Sequence, residues 1–138
     1  MSSQITVTAT VNANIKKAWD YYTQPEHITQ WNFADPSWQC PSASNDMQVG
    51  GKYSARMEAK DGSFGFEFEA TYDEVVPGEK FTYTMPNSRK AGATFAETGH
   101  NQTEVSVWFD PEDQNSLEMQ RNGWQAILNN FKSYTGAN

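Results

Sequence analysis

The sequence predicts an α+β domain in which a curved antiparallel sheet wraps around a long C-terminal helix, with two short helices after the first strand. Three observations predict it. Between residues 52 and 109, short segments of alternating apolar and polar residues follow one another with only brief turns between them, as in an antiparallel meander. Near the end of the chain, Leu117, Gln120, Trp124, Ile127, Leu128, Phe131 and Tyr134 recur every three to four residues, the period of a helix. Ahead of the meander, one strand-like segment is followed by two short stretches with helical spacing.

Ile5, Val7, Ala9 and Val11 alternate with Thr6, Thr8 and Thr10, which makes 5–11 a half-buried strand. Asn14 can cap a helix over 15–23 that places Ile15, Ala18, Trp19 and Tyr22 at helical spacing. Pro25 suits the first turn of a second helix over 25–31, which carries Ile28 and Trp31. From Asn32 to Asp46 the chain reads as a loop, rich in Ser, Pro, Asn and Asp yet holding Phe33 and Trp38. A long loop with large aromatics either folds over the core or serves as a lid.

The strongest local signal lies in 52–75. A turn at Asp61-Gly62 joins strands over 52–60 and 63–75 and sets Met57 opposite Phe66, Ala55 opposite Phe68, and Arg56 opposite Glu67. Apolar residues meet on one face and opposite charges on the other, so pattern and turn select one register. Pro77-Gly78 turns the chain into a strand with Phe81, Tyr83 and Met85, and Pro86 to Lys90 turns it again. A strand near 91–97 carries Phe95, a polar turn spans 98–102, and 103–109 presents Val105, Val107 and Phe109. After a loop at 110–114, Asn115 with Glu118 resembles a capping box. The final helix, 114–135, is about 30 Å long, enough to cross a small sheet, and Gly136 ends it. With neither repeat nor linker, 1–138 reads as a single domain.

Seventeen acidic against ten basic residues give a net charge of −7, and the densest basic runs are only Lys16-Lys17 and Arg89-Lys90. Nucleic acid and anionic membrane are therefore not expected partners. The single cysteine, Cys40, cannot form an internal disulfide, and the opening MSSQITVTATV alternates like a strand, so a cytoplasmic location is expected. His27 and His100 stand alone in polar segments with no ligand at metal spacing, and read as surface or loop residues. Glu67 and Glu69 fall on the face away from the core, paired with Arg56 and Lys52, and no two carboxylates are marked as acid and base. No cofactor or metal is expected.

Five Trp, six Tyr and eight Phe exceed what a small core needs for packing alone, and the surplus points to a cavity. The candidates for its wall are Trp31 and Trp38 near the entrance, Met57, Phe66, Phe68, Tyr72, Tyr83 and Phe95 from the sheet, and Trp124 and Leu128 from the last helix. Gly123, beside Trp124, suggests a missing side chain where helix meets sheet.

Four segments, ITVTATVNANIKKAWDYYTQPEHITQW at 5–31, NDMQVGGKYSARMEAKDG at 45–62, FEFEATYDEVVPGEKFTYTM at 66–85 and FDPEDQNSLEMQRNGWQAILNNFKSYT at 109–135, together resemble the AHSA1-like (activator of Hsp90 ATPase homologue 1-like) family. That family belongs to the START-like, or SRPBCC, helix-grip superfamily. The resemblance implies the helix-grip fold and a cavity between sheet and C-terminal helix. Its known members include ligand carriers, polyketide cyclases and a co-chaperone of Hsp90. The expected function is binding of a small apolar or amphipathic ligand. The alternatives are a cyclase- or hydrolase-type enzyme using the same cavity, or a protein-interaction domain with a chaperone link.

Overall fold

The computed structural model describes residues 4–137. The chain runs β1 (Ile5–Val11), α1 (Ile15–Thr23), α2 (Pro25–Trp31), β2 (Trp38–Asn45), β3 (Lys52–Ala59), β4 (Gly65–Val76), β5 (Lys80–Thr84), β6 (Lys90–Gly99), β7 (Gln102–Phe109) and α3 (Leu117–Ala137). The seven strands form one antiparallel sheet in the order β1-β7-β6-β5-β4-β3-β2. The two strands that flank the short helices in sequence thus lie at opposite edges of the sheet. Irregular register between Tyr72 and Glu74, and between Glu97 and Gly99, bends the long strands so that the sheet curls around α3.

Local chemistry sets most boundaries. The Asn14 side chain accepts a hydrogen bond from the Lys17 backbone N–H at 2.8 Å, and Pro25 occupies the first turn of α2. The β3–β4 hairpin has the expected register, with Met57 facing Phe66, Ala55 facing Phe68 and Arg56 facing Glu67. Its loop holds four residues, 60–63, because Ala59 still pairs with Phe64 and Gly62 takes a φ of 78° that favours glycine. Arg56 reaches Glu58 at 3.4 Å and Glu67 at 3.9 Å on the solvent face, while Glu69 lies opposite Ser54 rather than Lys52.

Three expectations are corrected. Residues 38–45 are a strand, not a loop or lid: β2 extends the sheet beyond β3 and brackets a register shift between Gln39 and Ser42, where Pro41 sits. A proline lacking its N–H is accommodated at an edge or bulge. The cap of α3 is Ser116, whose hydroxyl accepts from the Met119 N–H at 3.0 Å, whereas Asn115 donates its side-chain amide to Glu112. Leu117 therefore falls on the first turn and is 61% exposed, so the buried stripe begins at Gln120. At the far end α3 continues through Gly136 to Ala137.

The densest packing of α3 is along β1. Arg121 and Gln125, one turn apart, donate to the Thr6 and Thr8 carbonyls at 3.1 Å each, so the helix also satisfies the free edge of that strand. Phe131 on its inner face, and Phe109, Val11 and Val105 beneath it, are fully buried. Trp19 from α1 meets Phe95 edge-on at 5.2 Å. This half of the concave face is solid.

A candidate ligand cavity

The other half of the concave face is open. A cavity of about 320 Å³ lies between α3 and strands β3, β4 and β5. The pleat explains its floor: Tyr53 and Met57, then Phe66, Phe68 and Tyr72, then Phe81 and Tyr83 share the inward parity of their strands and all line it. Four of these rings lie across from an alanine, in the pairs Tyr53–Ala70, Phe68–Ala55, Tyr83–Ala91 and Phe81–Ala93. The four alanines are themselves buried and off the cavity wall. Trp124, Ile127 and Leu128 of α3 form the opposite wall, and Trp124 is held flat against Phe109 with centroids 4.2 Å apart and planes 9° apart.

Polar groups are few and grouped. On the α2–β2 side, the Tyr72 hydroxyl donates to the Asn45 side-chain oxygen at 2.7 Å, and the Asn45 amide donates to the Thr23 carbonyl at 2.7 Å. The Asn32 amide donates to the Tyr53 hydroxyl at 3.3 Å. Burial pushes the phenols of Tyr22, Tyr53, Tyr72 and Tyr83 well above their ordinary range, so each is a neutral hydroxyl at physiological pH. On the side of the β5–β6 turn and the loop before α3 lie Arg89, Glu112 and Gln120. Gln120 ties that loop to the helix, accepting from the Glu112 N–H at 2.9 Å and donating to the Glu112 and Asn115 carbonyls at 3.0 and 2.9 Å. The Glu112 carboxylate accepts from the backbone N–H groups of Asn115 and Gln114 and from the Asn115 amide, which holds its pKa below the usual value.

Of the residues singled out in the sequence, Trp31, Met57, Phe66, Phe68, Tyr72, Tyr83, Trp124 and Leu128 are on the wall. Trp38 and Phe95 are not. Trp38, at the start of β2, packs on Phe64 at 5.9 Å and Phe66 at 6.2 Å near the hairpin tip, and Phe95 is covered by α1. Trp31 is deep rather than at an entrance: it is 2% exposed, and its indole N–H donates to the Tyr21 carbonyl at 3.0 Å. A Cβ on Gly123 would meet nothing within 4 Å, so this glycine makes no close approach to the sheet. His27 lies in α2, partly buried, stacked on Tyr21 at 3.8 Å with its Nδ1 2.8 Å from the Tyr134 hydroxyl. His100 is exposed in the β6–β7 turn, and Cys40 is buried with its thiol pKa raised by burial.

Other wall residues carried weaker signals. Tyr22, Tyr53 and Phe81 share the inward pattern of the residues that were singled out. Asn32, Asn45, Arg89 and Glu112 belong to segments that read as loops or turns, where no periodicity reports which way a side chain points.

Comparison with known proteins places this geometry in a family. The family model described as Activator of Hsp90 ATPase homolog 1-like protein matches residues 12–136. The solution structure of an AHSA1-like protein from Aeromonas hydrophila is similar at 33% identity with a TM-score of 0.90, covering 98% of this chain and 93% of that one. A protein of Cytophaga hutchinsonii is 46% identical with a TM-score of 0.83, covering 97% of this chain and 92% of that one. A protein of Chromobacterium violaceum shares the fold at 21% identity and a TM-score of 0.85, covering 97% of this chain and 98% of that one. A search of curated proteins found no match.

Proposed function

The chain belongs to the Activator of Hsp90 ATPase homolog 1-like family and has its START-like helix-grip fold, and on that premise we propose that it binds a small apolar or amphipathic molecule between α3 and the sheet. One observation carries this reading: the cavity of about 320 Å³ walled by aromatic and aliphatic side chains with a few fixed polar groups. Ligand sites are built in this way, with volumes from about 300 Å³ upward. Interiors otherwise pack with few voids larger than a water molecule, whose share of liquid volume is about 30 Å³. An opening ten times that size is not ordinary packing.

The wall supports binding better than acid–base chemistry. Among the described residues it carries a single carboxylate, Glu112, and that group is already taken by donors from its own loop. Titration with a panel of neutral aryl and acyl compounds, followed by Trp emission, tests the proposal. Saturable changes are expected in the parent protein, with a smaller response in Trp124→Phe. A flat response across the panel in folded protein would remove the binding reading.

A further inference from the structure

Arg89 and Glu112 are the charged residues on the cavity wall among the described residues, and their situations differ. The Glu112 carboxylate accepts three hydrogen bonds within its own loop, and the nearby Arg89 charge adds a smaller share to holding its pKa low. Arg89 is served far less well. Its Nη1 donates to the Asp110 carbonyl at 3.2 Å, while its Nε is buried with no hydrogen-bond partner. The other nearby carboxylate, Asp110, accepts from the Lys90 backbone N–H at 2.9 Å. A guanidinium has five N–H donors in a planar fork, and leaving one buried and unpaired is costly.

The backbone holds this arrangement in place. Ser88 adopts a φ of 73°, in the left-handed region that non-glycine residues rarely enter. The turn is fixed by Ser88 N–H to the Met85 carbonyl at 2.9 Å and Met85 N–H to the Arg89 carbonyl at 2.8 Å. The Arg89 N–H also donates to the Asn87 side chain at 3.1 Å. A turn tied at three points presents one arginine to a cavity whose remaining wall is mostly apolar.

Building on the binding reading above, we infer that the cavity is selective for amphipathic carboxylates, with the acid group received by Arg89 and the apolar body lying along Phe68, Tyr83, Trp124 and Ile127. The fork matches a carboxylate in shape and charge. A monoanion is favoured over a dianion: Arg89 is the one cation on the wall among the described residues, and a second negative charge would meet Glu112 unopposed.

The test uses two probes of the same shape, 1-naphthylacetate and the neutral 1-naphthylacetamide, titrated calorimetrically into the full chain. The acid is expected to bind about ten-fold or more tightly than the amide, the scale of a hydrogen bond to a charged group. Arg89→Gln should erase that preference by weakening the acid far more than the amide. Arg89→Lys, which keeps the charge without the fork, should retain part of it. Equal binding of acid and amide to the parent protein would overturn the inference and leave the cavity reading standing. So would an Arg89→Gln variant that loses both probes equally, since that marks a purely structural arginine. Failure of both probes to bind folded parent protein would overturn both readings.

Discussion

The two halves of the concave face meet the helices in different ways. On the β1–β7–β6 side, α1 and α3 press directly on the sheet, and Phe109, Phe131, Trp19 and Phe95 are all buried, the last two edge to face. On the β3–β4–β5 side the floor is just as aromatic, yet α3 stands away from it and the volume between stays open. Composition therefore does not separate core from cavity. The separation comes from where α3 is tied down: Arg121 and Gln125 anchor it to the β1 edge, and a straight helix held there leaves the opposite strands uncovered. Toward the hairpin tip the cover is thinnest, and Phe66 is 42% exposed although it points inward. The solid half should carry stability and the open half function.

The largest expected contrast is between two phenylalanines. Phe131→Ala, at a fully buried position in the solid half, should cost about 3–5 kcal/mol in urea unfolding. Phe68→Ala, on the cavity floor and only half-buried, should cost less than about 2 kcal/mol. Equal losses would break the distinction.

Alkaline pH should strike the open half next. Tyr22, Tyr53, Tyr72 and Tyr83 all line the cavity, and burial raises each phenol pKa in the folded state. The unfolded chain titrates near pH ~10, so the stability is intact below that value and is lost as pH rises above it. The loss should exceed one proton's worth, about 1.4 kcal/mol per pH unit, and Tyr83→Phe should make it shallower. A slope unchanged in Tyr83→Phe would mean that this phenol is not shielded.

Added bulk gives a smaller contrast. Ala93, 1% exposed and facing Phe81 across the sheet, has no room, so Ala93→Leu should cost about 1–3 kcal/mol. Ile127→Trp, projecting into the cavity, should change stability by less than about 1 kcal/mol and abolish probe binding. Retained binding in Ile127→Trp would argue that the ligand sits elsewhere. Smallest is Gly123→Ala: with open space at the added Cβ, helix propensity alone should raise stability by about 1 kcal/mol, read as a higher melting temperature.

How much of this was legible from residues varied with the physics of each segment. The β3–β4 register could be read because alternation and turn chemistry agreed at every pair from Ala55–Phe68 to Met57–Phe66. Strand β2 was hidden because WQCPSASN contains a proline and four polar residues, which an outer strand tolerates and a central one does not. The cap of α3 slipped by one residue because Asn115 and Ser116 can both accept a helix N–H, and Glu112 had already engaged Asn115. Parity told which rings face inward, but whether an inward ring fills the core, as Phe95 does, or borders open volume, as Tyr83 does, depends on the path of a helix more than twenty residues away in sequence. For Arg89 no pattern existed at all.

The claim that the open half is a binding site is tested most directly by methyl NMR of the full chain, labelled at Met, Ile, Leu and Val, during titration with 1-naphthylacetamide. Shifts concentrated at Met57, Ile127 and Leu128, with Val7 and Val105 unmoved, are the predicted result. Shifts confined to residues outside the cavity, or none at saturating probe, would contradict it.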